Sequence, residues 1–141
     1  PSPGSTNTIQ YVTISTTGNA SDFGDLTQST NSGPTSGSNA QRGILVNSWD
    51  GNPGYTNAVS FIQIATLGNA QDFGDSTSAR LNSASCTSPT RIAVGGGQTP
   101  TRLNIIDYAQ IMTTGNFVDF GDLGNGLSQL GGCSNGHGGL G

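Results

Sequence analysis

Short runs of β-branched and aromatic residues, with polar residues set between them, recur along this chain: Ile9-Gln10-Tyr11-Val12-Thr13-Ile14, Val59-Ser60-Phe61-Ile62-Gln63-Ile64 and Ile106-Asp107-Tyr108-Ala109-Gln110-Ile111. Their composition and length predict a strand for each. An Asn precedes every run (Asn7, Asn57, Asn104), and 11 residues after that Asn a Gly opens an octet of constant form, GNxxDFGD. The octets are Gly18-Asn19-Ala20-Ser21-Asp22-Phe23-Gly24-Asp25, Gly68-Asn69-Ala70-Gln71-Asp72-Phe73-Gly74-Asp75 and Gly115-Asn116-Phe117-Val118-Asp119-Phe120-Gly121-Asp122. A second strand type, Arg42-Gly43-Ile44-Leu45-Val46 and Arg91-Ile92-Ala93-Val94-Gly95-Gly96-Gly97, opens the next unit and in the second case ends in glycines, where the chain must turn tightly.

Self-similarity at this period means one structural unit made several times, here several short strands per unit. The whole chain, 1–141, reads as a single repeat domain with units of about 1–41, 42–90 and 91–136, and with 137–141 starting a further unit. Phe23 and Phe73 are 50 residues apart and Phe73 and Phe120 are 47 apart; joining residue 141 to residue 1 would give a next interval of 44. His137-Gly138-Gly139-Leu140-Gly141 resembles the Arg91 strand, and Pro1-Ser2-Pro3-Gly4 resembles Gln98-Thr99-Pro100-Thr101. The two ends therefore read as halves of one broken repeat.

Composition sharpens the fold class. The chain has 141 residues, with 23 Gly, neither Glu nor Lys, and 28 residues of Leu, Ile, Val and Phe, about one in five. So low an apolar share approaches the disordered range, but disorder also needs high charge, and only 9% of residues are charged, for a net of −4. Scarce helix formers beside abundant Ser, Thr, Asn and Gly favour a loop-rich all-β fold. Four Arg and no Lys exclude the clustered positive charge that nucleic-acid binding needs. The apolar runs are far shorter than the roughly 20 residues of a membrane-spanning helix, so no membrane insertion is expected.

Units of this size with about four short strands match one propeller blade. The strand Arg91 to Gly97, then Asn104-Ile105-Ile106-Asp107-Tyr108, then the aromatic of Asp119-Phe120-Gly121-Asp122 resemble a kelch-type blade, with Phe in place of the blade's Trp. The glycine run departs from that pattern in the preceding unit, which has Asn47-Ser48-Trp49. The wording of the repeats is also similar to that of kelch-like tail-fibre and virion proteins of aquatic bacteriophages. This resemblance implies three tandem kelch-like blades in a propeller or an open β-repeat array, and a virion or extracellular setting. A closed propeller takes about four to eight blades, so three imply a dimer, a longer parent chain or an open head-to-tail array. Incomplete sheets expose unpaired backbone groups that another chain can satisfy, and a contact that fails to close makes a filament.

Candidate chemistry is thin. Six of the eight acidic residues lie in the Asp-Phe-Gly-Asp segments. Paired carboxylates there suit a cation such as Ca²⁺. The competing reading is architectural: the first Asp (Asp22, Asp72, Asp119) caps a turn, the Gly takes a positive φ, and Phe23, Phe73 and Phe120 anchor the units, with Ile9/Tyr11/Ile14-type positions burying the faces between units. A segment present in every unit, whatever its loops contain, favours architecture, and no cofactor is expected. His137 is the single histidine, and no GxSxG accompanies it, so no catalytic residue is assigned. Cys86 and Cys133 hold equivalent repeat positions and are read either as a disulfide or as two small buried residues.

Asn19-Ala20-Ser21 is a glycosylation sequon, so Asn19 is a candidate glycan acceptor. The variable loop carrying Trp49 and Tyr55 is the candidate ligand loop, because aromatic rings there would stack on a sugar. The expected function is a structural, non-enzymatic subunit or segment of an extracellular or virion fibre whose partner is itself. The alternative is a carbohydrate- or cell-surface-binding propeller, with glycans as partner.

Overall fold

The computed structural model describes residues 4–30, 34–46 and 54–134. They form eleven strands: β1 (Thr6–Tyr11), β2 (Ser21–Thr30), β3 (Thr35–Ser38), β4 (Arg42–Val46), β5 (Ala58–Gln63), β6 (Gln71–Asp75), β7 (Ala84–Thr87), β8 (Arg91–Gly95), β9 (Gln98–Thr99), β10 (Thr101–Gln110) and β11 (Val118–Leu127). The chain is all-β, as its composition implies. The strands make three antiparallel sheets, ordered β1-β2, β3-β4-β5-β6 and β7-β8-β10-β11, with β9 added to β10. They form no closed barrel among the described residues, as expected of an open repeat array.

The two larger sheets are the same meander made twice. Each begins with a short polar strand (β3, β7), one strand ahead of the Arg42 and Arg91 strands with which the repeat wording opens. Among the described residues, the first sheet contains only the last pair of that plan. This difference explains where β1 stops. Tyr11 pairs Ser21 as Phe61 pairs Gln71 and Tyr108 pairs Val118, and the longer run of β5 and β10 past that point is held by β4 and β8 on the other edge. With no such neighbour among the described residues, Val12-Thr13-Ile14 leaves the strand, and Val12 and Ile14 are 57% and 98% exposed.

The core lies between the second and third sheets. Ile44, Val46, Val59, Phe61 and Phe73 of one meet Ile92, Val94, Ala109, Ile111 and Phe117 of the other. Period-two alternation on β4 and β8 sends these residues to the shared face. The second sheet is covered on its other face too, where buried Ser60 hydrogen-bonds Thr27 of β2 at 2.6 Å. Rungs between the second and third sheets run along the polar strands, where Thr35 Oγ1 donates to the Ser83 carbonyl (2.7 Å) and Ser85 Oγ to the Ser36 carbonyl (2.6 Å), and from the start of β4, where Arg42 Nη1 donates to the Ile111 carbonyl (3.1 Å). At the end of β8 the chain reverses through Gly96 (φ 66°) and Gly97 (φ 96°), the tight turn that the glycine run predicts.

Both cysteines are exposed free thiols. This corrects the two readings from the sequence, disulfide and buried pair alike, because equivalent positions in stacked units point the same way and Cys86 lies on the outer face of the third sheet. Native protein kept dilute enough to be unassembled should therefore release two equivalents of thiol colour with a small disulfide reagent in the absence of denaturant. Fewer than one equivalent would contradict this placement.

Candidate functional site

The octets meet one another. Within each, the register slips by one residue, so that Ile9 opposes Gly24 and Gln10 opposes Asp22, with Phe23 left over as the bulged residue; the same slip recurs at Val59/Ser60 and Ile106/Asp107. The sequence suggests a turn here, and the chain makes a bulge within a continuous hairpin. The slip requires an unusual backbone at the glycine, and φ is 148°, 136° and 143° at Gly24, Gly74 and Gly121. In the third copy the Asp119 carboxylate accepts from the Gly121 N–H at 3.2 Å, the side-chain cap expected of the first Asp.

The bulge turns the Phe and second Asp carbonyls toward the next unit, where the N–H groups of the glycine and of the residue after the asparagine in the following octet donate to them. The Gly68 N–H donates to the Phe23 carbonyl at 2.8 Å and the Ala70 N–H to the Asp25 carbonyl at 2.7 Å. The Asn69 Oδ1 accepts from the Asp25 N–H at 3.1 Å. The next junction is the same: Gly115 N–H to Phe73 carbonyl at 2.7 Å, Phe117 N–H to Asp75 carbonyl at 2.8 Å, and Asn116 Oδ1 from Asp75 N–H at 3.1 Å. Approach this close needs a bare Cα: a Cβ on Gly24 would lie 2.4 Å from the Gly68 oxygen, and one on Gly74 would lie 2.6 Å from the Gly115 carbonyl. Each octet thus has two complementary halves, a donor half GN and an acceptor half FGD.

Side chains follow the same logic. Phe73 is buried between Phe61 and Phe117, both edge-to-face, and Phe23 packs edge-to-face on Tyr11. Phe120 corrects the expectation that all three are anchors. It keeps its inner contact with Tyr108 but is 60% exposed, because no following octet covers it. Ile14 likewise is 98% exposed where its counterpart Ile111 is fully buried. Arg42 and Arg91 lie over the rings of Phe61 and Tyr108 at 4.5 and 5.3 Å.

The other candidate residues are scattered. Asn19 is exposed, and Tyr55 is 38% exposed; Trp49 and His137 lie outside the described residues. The octet carboxylates are not gathered: among the described residues no group of three or more His, Cys, Asp or Glu could hold a metal ion. A wide depression of about 440 Å³ beside β3 and β7 is lined mainly by small and uncharged polar residues, with no acid or base in its lining.

One buried feature is not evident from the repeat. Asp107, which replaces Ser60 and Gln10 of the other units, forms an ion pair with Arg80, and both side chains are fully buried. Thr77 adds its N–H (2.9 Å) and hydroxyl (2.7 Å) to the Asp107 carboxylate, and Arg80 reaches the Gly96 and Ile105 carbonyls. The pair ties the 76–83 loop to β10. Its signal in the sequence is an acid inside an apolar strand together with one of only four cations.

The Asn rung can be measured. Asn116→Ala should cost about 1 kcal/mol by denaturant titration, the usual net worth of a hydrogen bond near the surface. An unchanged midpoint would mean that water serves the Asp75 N–H equally well.

No protein-family model and no curated protein matches the chain.

Proposed function

We propose that this chain is a structural, non-enzymatic β-repeat subunit or segment of an extracellular or virion fibre, assembling head to tail. The observation that carries the reading is the pair of matching junctions: two copies of one set of hydrogen bonds within the chain, made by halves that are complementary rather than alike. Complementary faces related by a fixed step generate rings or open filaments, whereas self-complementary faces stop at dimers. The resemblance of the repeats to kelch-like phage fibre proteins and the sparse, scattered acid–base chemistry support the same reading. Negative-stain images of the purified chain over a range of concentrations test it. Rods or closed rings that lengthen or accumulate with concentration are expected. Discrete globules at every concentration that bind glycans would instead favour a carbohydrate-binding module using the Tyr55 loop.

A further inference from the structure

The third sheet ends in an acceptor half that nothing among the described residues receives. Gly121 has the φ of Gly24 and Gly74, yet a Cβ there would meet nothing within 4 Å. Beside Phe120 lies an open apolar depression of about 400 Å³, lined by Ala93, Gly95, Ile106, Leu123 and Leu130. In the second sheet the positions of Ala93, Gly95, Ile106 and Phe120 are those of Ile44, Val46, Val59 and Phe73, all of them buried by the next unit. At the opposite end, Gly18-Asn19-Ala20 is a donor half with nothing to grip among the described residues, and Val12 and Ile14 stand bare where Ala109 and Ile111 are buried.

Resting on the head-to-tail reading above, we infer that the outer face of the third sheet is the docking site for a second copy of this chain, entered by that copy's Ile14 and Gly18-Asn19-Ala20. The second copy's Gly18 and Ala20 N–H groups donate to the Phe120 and Asp122 carbonyls, and its Asn19 Oδ1 accepts from the Asp122 N–H. Its Ile14 takes the place that Ile111 has at the internal junction, near Arg91 as Ile111 is near Arg42. The occupant is identified by continuity: the chain already builds this contact twice from the same octet. A chain presenting one half at each end adds copies in one direction without limit.

The test uses three variants of the full 141-residue chain. Ile14→Asp and Phe120→Asp each place a carboxylate in one face of the proposed junction, on side chains that a single chain leaves mainly exposed. Thr17→Asp is the control, since its counterparts Leu67 and Thr114 stay exposed although their units abut a preceding one. Circular dichroism should show all three folded. Light scattering should show wild type and Thr17→Asp assembling alike, and the first two requiring about a hundredfold higher concentration, because an unpaired charge is expensive to bury. Mixing Ile14→Asp with Phe120→Asp should yield a discrete dimer, since each variant retains the face that the other lacks. If wild type assembles but both variants match it, or if mixing gives no dimer, this interface is overturned while the fibre reading stands. If wild type does not assemble at any concentration, both fail.

Discussion

Replacing Asp107 by Ala is expected to destabilise the chain by about 3–5 kcal/mol, the cost of stranding a buried charge. Arg80 would remain fully buried with its guanidinium facing the Gly96 and Ile105 carbonyls alone, and the Thr77 N–H and hydroxyl would lose their acceptor. Pairing Asp107→Ala with Arg80→Met should recover much of the loss, because a well-filled apolar substitute for a buried ion pair is often near neutral. Urea denaturation of the single and double variants checks both. A loss below about 1 kcal/mol for Asp107→Ala would mean that water reaches the pair.

The second large effect concerns the junction itself. Gly74→Ala should cost about 3 kcal/mol, combining the strain of a positive φ with a Cβ forced against the Gly115 carbonyl. Gly121→Ala has the same backbone strain and no clash, so in dilute, unassembled protein it should cost only about 1 kcal/mol. The difference between the two isolates the contact between octets from conformational preference. Equal losses would show that the glycine is required for φ alone.

Much of this architecture is legible in the residues. The apolar runs of β5 and β10 and the second strand type of β4 and β8 stand out, because each sets at least two large apolar residues on one face. The positive φ of the octet glycines is legible too, since Gly recurs where an Asp and an aromatic flank it. The polar strands β3 and β7, Thr35–Ser38 and Ala84–Thr87, carry no alternation and are held by backbone pairing and serine rungs. Their composition cannot separate them from loops. The exposure of Phe120 and Ile14 is illegible for a different reason: burial of an octet depends on the unit beside it, and repeat wording is the same at an end as in the middle. The pairing of GN with FGD is visible only as an invariance, because partners 44 and 41 residues apart in the Asn69 and Asn116 rungs leave no local pattern.

The most direct test is residue-resolved amide hydrogen exchange on the chain kept dilute enough to be monomeric. If each octet grips the one before it, the Gly68, Ala70, Gly115 and Phe117 amides will be protected, the equivalent Gly18 and Ala20 amides will exchange at nearly free rates, and assembly will slow those two alone among the six. Equal protection of all three octets in the monomer, or fast exchange at Ala70 and Phe117, would contradict it.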